Sequence, residues 1–130
     1  MTQYESWKSG DPLVGGTDPQ KIKPKTWTLM EFGKNGTVIT PVVDGVAYWG
    51  TYVNVQDNAD AKTIMVRFIR DPKKLADFTG AISYTFTAGH IFSHLWMFKA
   101  KKGQPVGVQV WHDGSKPIIL GTREFKAAIG

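Results

Sequence analysis

The three histidines are the first candidates for chemistry, because imidazole is a common metal ligand. His90 and His94 lie four residues apart, a spacing that puts both side chains on one face of a strand, and His112 follows later. Together they could form a zinc site, but zinc ligand geometry is demanding, and the zincin motif needs Glu where Ile91 stands. The neighbouring aromatic and aliphatic residues indicate a buried strand. We therefore predict no metal site.

A short acidic segment offers oxygen ligands that could suit calcium. Asp57, Asn58 and Asp60 lie in one loop, but Ala59 interrupts the ligand order of an EF-hand. Asp and Asn also bond their own backbone in turns, which favours a turn that caps strand ends. No nucleophile elbow, phosphate loop, dinucleotide motif or paired carboxylates are found, and the chain has no Cys. The sequence predicts no catalytic residue, no cofactor and no enzyme activity.

Aromatic side chains are the remaining candidates for ligand contact. The chain has five Trp and four Tyr, and exposed aromatic rings can stack on sugars or nucleotide bases. Tyr48, Trp49 and Tyr52 lie close together in sequence, and Trp111 points away from the valine face of its own segment. We predict these four as possible stacking residues, with a glycan as the possible ligand. For each Trp taken alone, packing between two sheets is the simpler explanation.

The elements that would position these side chains are strands. Turn signals such as Asn35-Gly36 and Asp113-Gly114 recur along the chain, and apolar residues alternate with polar ones between them. About eight strands at roughly 8–12-residue spacing are typical of a sandwich or barrel, and short turns favour antiparallel pairing. The predicted fold class is all-β, an antiparallel β-sandwich or jelly-roll-like barrel. The predicted strands are 25–32, 37–43, 46–56, 62–70, 81–88, 91–99, 106–111 and 118–125.

The first 24 residues differ from the rest of the chain. They are rich in Gly and Pro and have no period of a strand or a helix, which predicts an extended N-terminal arm at 1–24 and one β-sandwich domain at 25–130. The arm carries Tyr4 and Trp7, large apolar side chains whose exposure to water would contribute little to stability. An ordered arm of this kind must lie on its own domain or on a neighbouring subunit.

Several predicted strands carry apolar residues on both faces. Residues 90–99 place aliphatic side chains on one face and aromatic ones on the other, and residues 62–70 are similar. A sandwich strand with one solvated face should alternate apolar and polar residues, so these strands need a second covering. We expect that covering to come from the arm, a loop or another subunit. The predicted subunit-interface residues are Tyr4, Trp7, Pro12, Leu13, Val14, Met65 and Ile69.

The net charge bears on which partners the chain could bind, and targeting signals bear on where the protein is located. The net charge is +5 and concentrates in the C-terminal third, which could favour an acidic partner, although solvated turn lysines explain it as well. No apolar run is long enough to span a bilayer as a helix, and the N-terminus lacks the pattern of a signal peptide. The sequence predicts no membrane span and, without other information, a cytoplasmic protein. Nucleic acid binding, as in an oligonucleotide-binding barrel, is the third hypothesis.

The arm at residues 10–24 and the strand series after residue 25 resemble small virion proteins of tailed bacteriophages, such as capsid decoration or tail components. The resemblance is one of architecture over the whole chain. It implies a structural protein whose arm and apolar outer sheet face pack on other copies of itself and on a larger assembly, located in the virion. The alternative is a carbohydrate-binding β-sandwich module that uses exposed Trp and Tyr.

Overall fold

The computed structural model describes residues 13–16, 19–31, 40–41, 44–70, 78–84 and 91–129. For some residues in these ranges it describes the backbone and not the side chain. This part of the chain forms nine β-strands and no helix, so it holds no helix that could cross a membrane. The strands are β1 (Leu13–Gly16), β2 (Gln20–Ile22), β3 (Thr28–Leu29), β4 (Gly45–Asp57), β5 (Ile64–Arg70), β6 (Phe78–Tyr84), β7 (Ile91–Ala100), β8 (Val106–His112) and β9 (Ile118–Ile129).

The strands form two antiparallel sheets. Sheet I has the order β1-β9-β4-β7, with β2 also paired to β9, and sheet II has the order β3-β8-β5-β6. From β6 onward the chain alternates between the sheets, with β7 and β9 in sheet I and β8 in sheet II. The predicted antiparallel β-sandwich of jelly-roll type is therefore confirmed.

The core lies between the two sheets. Strand β8 turns Val106, Val108 and Val110 inward, each no more than 1% exposed. At the centre, the ring of Phe68 on sheet II lies 4.5 Å from the ring of Phe98 on sheet I. Burial of these apolar side chains is the main favourable contribution to folding.

The predicted strands with clear alternation are confirmed. Strands β4, β5, β7 and β8 lie within one or two residues of their predicted bounds. Three predictions are only partly right. Among residues 25–31 the regular strand is limited to Thr28–Leu29, although Lys25 and Met30 also donate backbone bonds to β8. Strand β6 begins at Phe78 rather than 81, and β9 continues past 125 because its end pairs with β4, where Ala47 faces Ile129. Residues 32–39, 42–43 and 85–90 lie outside the described residues.

The described part of the N-terminal arm belongs to sheet I. Leu13 pairs with Phe125, and Gln20 pairs with Leu120, so both short strands extend the sheet along β9. The expectation that no regular element precedes residue 25 is therefore wrong for these two segments, because backbone bonding to β9 does not need an alternating pattern. The division of the chain at residue 24 stays a prediction.

Side-chain bonds also tie this segment to both sheets. Gln20, which is 6% exposed, donates from Nε2 to the carbonyl of Leu29 and accepts from the N–H of Glu31, each at 2.9 Å. The buried Arg123 then donates from Nε to the carbonyl of Glu31 at 2.8 Å. Ile22, which is fully buried, belongs to the apolar core. The arm thus packs on its own domain where it is described.

Candidate functional site

Two surfaces of the sandwich carry side chains suited to contact with other molecules. The first is the outer face of sheet I, where β4 and β7 present a group of large apolar side chains to solvent. We call this group the exposed apolar face. Its members and exposed fractions are Val46 (50%), Tyr48 (44%), Ile91 (54%), Leu95 (56%) and Met97 (62%).

These side chains share a face because of strand register. On β7 the buried residues alternate with exposed ones, so that Trp96 and Phe98 point into the core while Leu95 and Met97 point outward. Tyr48 on β4 is the pairing partner of Met97, which brings the two side chains together on that outer face. The prediction that this segment is apolar on both faces is confirmed, and the described part of the chain leaves the outer face uncovered.

The predicted interface residues are distributed differently. Met65 is half-exposed on the outer face of sheet II, whereas Ile69 is fully buried, so the expectation that it points outward is wrong. The pairing of β5 with β6 shifts between Phe68 and Ile69, and both residues are buried at this irregularity. Leu13 and Val14 pair with β9 of their own chain, and their side chains lie outside the described residues. Tyr4, Trp7 and Pro12 also lie outside them.

The four predicted stacking residues do not form one site. Tyr48 and the half-buried Tyr52 lie on the outer face of sheet I, whereas Trp111 lies on the outer face of sheet II. Trp49 pairs with Trp96 through the backbone, and its side chain lies outside the described residues. A single sugar ring could not contact both outer faces of a sandwich.

The second surface is an aromatic and cationic cluster on the outer face of sheet II. Trp27 and Trp111 are both half-exposed, with ring centroids 6.5 Å apart and planes tilted by 37°. The guanidinium carbon of Arg67 lies 4.0 Å from the ring centroid of Trp27. Its Nε donates to Oε1 of Gln109 at 2.7 Å. We call these four residues the Arg67 platform.

The strand register explains how the Arg67 platform forms. Arg67 pairs with Gln109 across β5 and β8, and Met65 pairs with Trp111 in the same way. Cross-strand partners share a face, so Arg67 covers Gln109, whose side chain is only 3% exposed. Burial lowers the pKa of Arg67, but a guanidinium keeps its charge at neutral pH. The sequence pattern predicted Trp111 as a possible stacking residue and did not predict a role for Arg67. The groups that Arg67 contacts depend on the pairing of β5 with β8, which the pattern does not show.

The histidines do not form a metal site in the described residues. His112 is fully buried, with Nε2 2.9 Å from the carbonyl oxygen of Ile22 and Nδ1 accepting from the N–H of Gly114 at 3.1 Å. His94 packs edge-on against Trp96, with centroids 4.7 Å apart, and burial lowers its pKa. His90 lies outside the described residues. The described part of the chain contains no group of three possible metal ligands.

The acidic segment acts as a set of turn caps. Asp57 accepts from the N–H of Ala59 at 2.8 Å, and Asn58 donates to the carbonyl of Ala61 at 3.1 Å. Asp60 accepts from the backbone N–H and the hydroxyl of Ser115. The hydroxyl bond of Ser115 is the largest cause of the lowered pKa of Asp60. These bonds support the turn interpretation over a calcium site.

Similarity to solved structures places the fold among known domains. The globular domain of zebrafish complement 1qA is 15% identical, with a TM-score of 0.61, over 91% of this chain and 93% of that chain. The Eiger TNF of S. frugiperda is 8% identical, with a TM-score of 0.61, over 92% and 90%. Murine APRIL is 12% identical, with a TM-score of 0.56, over 86% and 98%. Identities this low show the fold alone.

The sequence itself matches no family model and no curated protein. The β-sandwich architecture that the resemblance to phage virion proteins implied is confirmed, but these similar structures are not phage proteins. They give no support to a virion component. Localisation in a virion or in the cytoplasm stays a prediction.

Proposed function

We propose that this chain is a non-enzymatic assembly protein whose copies associate through the exposed apolar face. One observation carries the proposal. Among the described residues, the exposed large hydrophobic side chains all lie on the outer face of β4 and β7. Exposed apolar residues scattered singly need no explanation, whereas a contiguous group marks an interaction site.

The composition of the face favours a protein surface as its cover. It combines an aromatic ring and a methionine, types that are enriched in protein interfaces, with branched aliphatic side chains. The only described charged side chain on this face of β7 is Lys99, at the end where it pairs with Val46. A second copy of the same apolar face would remove both surfaces from water without burying a charge.

The arm does not take this position where it is described. Strands β1 and β2 pair with β9, on the side of sheet I away from β7. The proposal therefore relies on the face of β4 and β7 rather than on Leu13 and Val14 as interface residues. A role as a capsid decoration or tail protein has no supporting observation and is not part of the proposal.

A single substitution tests the proposal. Leu95→Glu places a charge at the centre of the exposed apolar face, beside Gly50 on β4. We expect the wild-type chain to form a discrete oligomer in native mass spectrometry and light scattering, with its association constant lowered about tenfold or more in the variant. The matched control is Lys101→Gln, which changes the net charge by the same amount at an exposed turn position outside the face.

Two results would contradict self-association. One is a wild-type chain that stays monomeric up to about 0.1 mM, where even weak specific association becomes visible. The other is an oligomer that Leu95→Glu and Lys101→Gln affect equally. Either result would assign the exposed apolar face to a different partner or to none.

A further inference from the structure

The outer face of sheet II carries groups that self-association through sheet I leaves unused. Sheet II has four antiparallel strands, and its outer face points away from the exposed apolar face. It therefore stays accessible whether or not copies associate through β4 and β7. Binding at this face does not depend on the proposed function.

Three half-exposed side chains form an apolar row across this face. Trp27 precedes β3, Trp111 lies on β8 and Met65 lies on β5. The two indole rings have centroids 6.5 Å apart, and Met65 is the cross-strand partner of Trp111. Aromatic side chains on the strands of an open sheet are a surface on which unpaired nucleic acid bases stack. We call these three residues the stacking row.

Arg67 supports the stacking row and is not itself a contact for the ligand. Its guanidinium carbon lies 4.0 Å from the ring centroid of Trp27, so one face of that indole is already covered. Its Nε donates to Gln109. Trp111 is therefore the ring on which a base would stack, beside an indole that is held in place before the ligand arrives. Such preorganisation lowers the entropy lost on binding.

Exposed lysines surround the end of the sandwich next to the stacking row. Lys25 donates its N–H to the carbonyl of His112, the residue after Trp111, and Lys62 donates its N–H to Oδ1 of Asp113. These two lysines flank the end of β8, one on the side of β3 and one on the side of β5. We call the lysines near this turn the basic end, and its members are Lys21, Lys23, Lys25, Lys62 and Lys116.

Three carboxylates lie at the same end, where the turns use them. Asp57, Asp60 and Asp113 each accept backbone N–H bonds. The five lysines outnumber these carboxylates by two. The whole chain carries a net charge of +5 and has a pI of about 9.5. A basic domain with clustered lysines attracts polymers that carry phosphate groups.

Lys25 adopts a backbone conformation that is costly for a lysine. Its φ is 52°, in the left-handed region that favours glycine. The bond from its N–H to the carbonyl of His112, at 2.9 Å, holds it there. Strained residues of this kind concentrate at ligand sites. Because glycine would fit the same turn with less strain, the observation points to a role for the Lys25 side chain.

A single-stranded nucleic acid matches the stacking row and the basic end together. Its bases have flat faces that stack on an indole, and each nucleotide adds a negative phosphate. Met65 offers no polar group to the hydroxyls of an acidic glycan, and an acidic peptide has no need of a flat aromatic surface. We propose that the outer face of sheet II binds single-stranded nucleic acid, with a base on Trp111 and phosphates at Lys25 and Lys62.

Fluorescence anisotropy of the full chain with labelled single strands tests the proposal. The probes are oligo(dT) and oligo(U) of about 12 nucleotides, together with an abasic deoxyribose phosphate strand of the same length. We expect the strands with bases to bind about tenfold or more tightly than the abasic strand, which keeps the charge but cannot stack. The ratio of the oligo(dT) and oligo(U) affinities identifies the preferred nucleic acid.

Two double variants separate the basic end from charge in general. Lys25→Gln with Lys62→Gln removes the lysines beside Trp111. Lys101→Gln with Lys102→Gln removes two exposed lysines from the turn before β8, at the other end of that strand. The plot of log affinity against log salt should have a slope of about −0.7 for each phosphate contact. We expect the first pair to make this slope shallower by about 1.4 and the second pair to leave it unchanged.

Single variants separate binding from folding. Lys25→Gly removes the ammonium group and relieves the left-handed strain, so it should weaken binding and raise the unfolding midpoint. Trp111→Leu should weaken binding about tenfold or more, whereas Tyr48→Leu, on the opposite sheet, should leave the affinity per chain unchanged. Thermal unfolding of each variant identifies any loss of fold, and the lysine variants provide the test if Trp111→Leu unfolds.

Four outcomes would overturn the proposal. Equal binding of the abasic strand would mean that no base stacks. Equal salt slopes of the two double variants would place the phosphates away from Lys25 and Lys62. Unchanged binding by a folded Trp111→Leu variant would place the bases elsewhere. The fourth outcome is no binding of either strand at low salt with protein up to about 0.1 mM. Binding of heparan sulfate or polyglutamate in that case would assign the surface to an acidic glycan or an acidic peptide.

Discussion

The imidazole of His112 joins sheet II to the backbone of Ile22, a residue 90 positions earlier in the chain. Nε2 lies 2.9 Å from the Ile22 carbonyl oxygen, and Nδ1 accepts from the N–H of Gly114 at 3.1 Å. Because Nδ1 accepts a bond, the pattern assigns the ring proton to Nε2, which donates to Ile22. One buried ring thus holds β2 of sheet I and the turn after β8 of sheet II together.

Replacing His112 with Phe should destabilise the domain. Phe keeps a planar ring but leaves the carbonyl of Ile22 and the N–H of Gly114 without their side-chain partner in the interior. Each such loss costs about 1–3 kcal/mol, so the two together should lower the free energy of unfolding by roughly 2–6 kcal/mol. Urea denaturation at neutral pH measures the change.

His94 provides the matched control. Its half-buried ring contacts Trp96, and the described residues make no hydrogen bond to its nitrogens, so His94→Phe removes no such pair. We expect a change of less than about 1 kcal/mol. If both variants lose the same stability, the two bonds of His112 contribute nothing specific.

The short strands before residue 25 show what the sequence could not predict. Residues 13–16 and 20–22 have no alternating pattern, yet both pair with β9. Their position depends on backbone bonds to a strand about 100 residues later, and composition carries no record of such a bond. The long strands were predictable because their own side chains alternate between the core and the solvent.

The candidate sites were predictable only in part, for a related reason. The two-sided pattern of β7 correctly predicted an apolar outer face. The pattern could not predict that Tyr48 and Trp111 lie on opposite sheets, because that depends on the order of the strands. Gly114 was predictable as a turn residue. That a Cβ there would lie 2.7 Å from Oδ1 of Asp60 follows only from how two distant turns pack.

Two carboxylates should make stability fall in acid. Backbone N–H bonds, first from Thr63 and then from Lys62, lower the pKa of Asp113 below its ordinary value of 3.8, and bonds from Ser115 do the same for Asp60. A carboxylate with a lowered pKa stabilises the fold above its ordinary value and loses that contribution as pH falls through its folded value. We therefore expect the urea midpoint to decline below about pH 4.

Asp113→Asn tests this assignment, because the amide keeps an acceptor oxygen but does not titrate. The variant should be less stable than the wild type at neutral pH, and the difference should shrink toward zero well below pH 3.8. A constant difference across the whole range would mean that the charge of Asp113 makes no contribution.

The histidine on β7 should act in a separate pH range. Burial lowers the pKa of His94 below its ordinary value of 6.5, so the unfolded chain binds the proton more strongly. Stability should then decrease as pH falls below 6.5 toward the folded value. His94→Phe should remove this dependence of stability on pH. It should leave unchanged the loss of stability that Asp113 causes at lower pH. A curve unchanged above pH 4 would contradict the assignment.

The turn after β4 contains a strained alanine. Ala59 has a φ of 47°, a left-handed conformation that costs a side-chain-bearing residue energy and costs Gly little. Its side chain is exposed, so Ala59→Gly should raise the free energy of unfolding by up to about 1 kcal/mol.

Ala61, in the same turn, is the control for that substitution. Its φ is not positive and its side chain is 5% exposed, so Ala61→Gly loses packing and gains backbone freedom in the unfolded state. We expect it to destabilise the domain. Two substitutions of the same kind, two residues apart, should thus have opposite signs, and equal signs would show that the strain at Ala59 is not relieved by glycine.

Self-association should also make thermal stability depend on protein concentration. If the folded chain binds a second copy through the exposed apolar face and the unfolded chain does not, association stabilises the fold by mass action. Once association is favourable, a tenfold increase in protein concentration then raises the free energy of unfolding by at most about 1.4 kcal/mol. We expect the unfolding midpoint of the wild type to rise with concentration in calorimetry.

Met97→Glu should abolish that rise and keep the midpoint seen at high dilution, because the Met97 side chain is 62% exposed and contributes little to the core. If the unfolding midpoints of the wild type and the variant are both independent of concentration, the exposed apolar face does not bind a second copy of the chain.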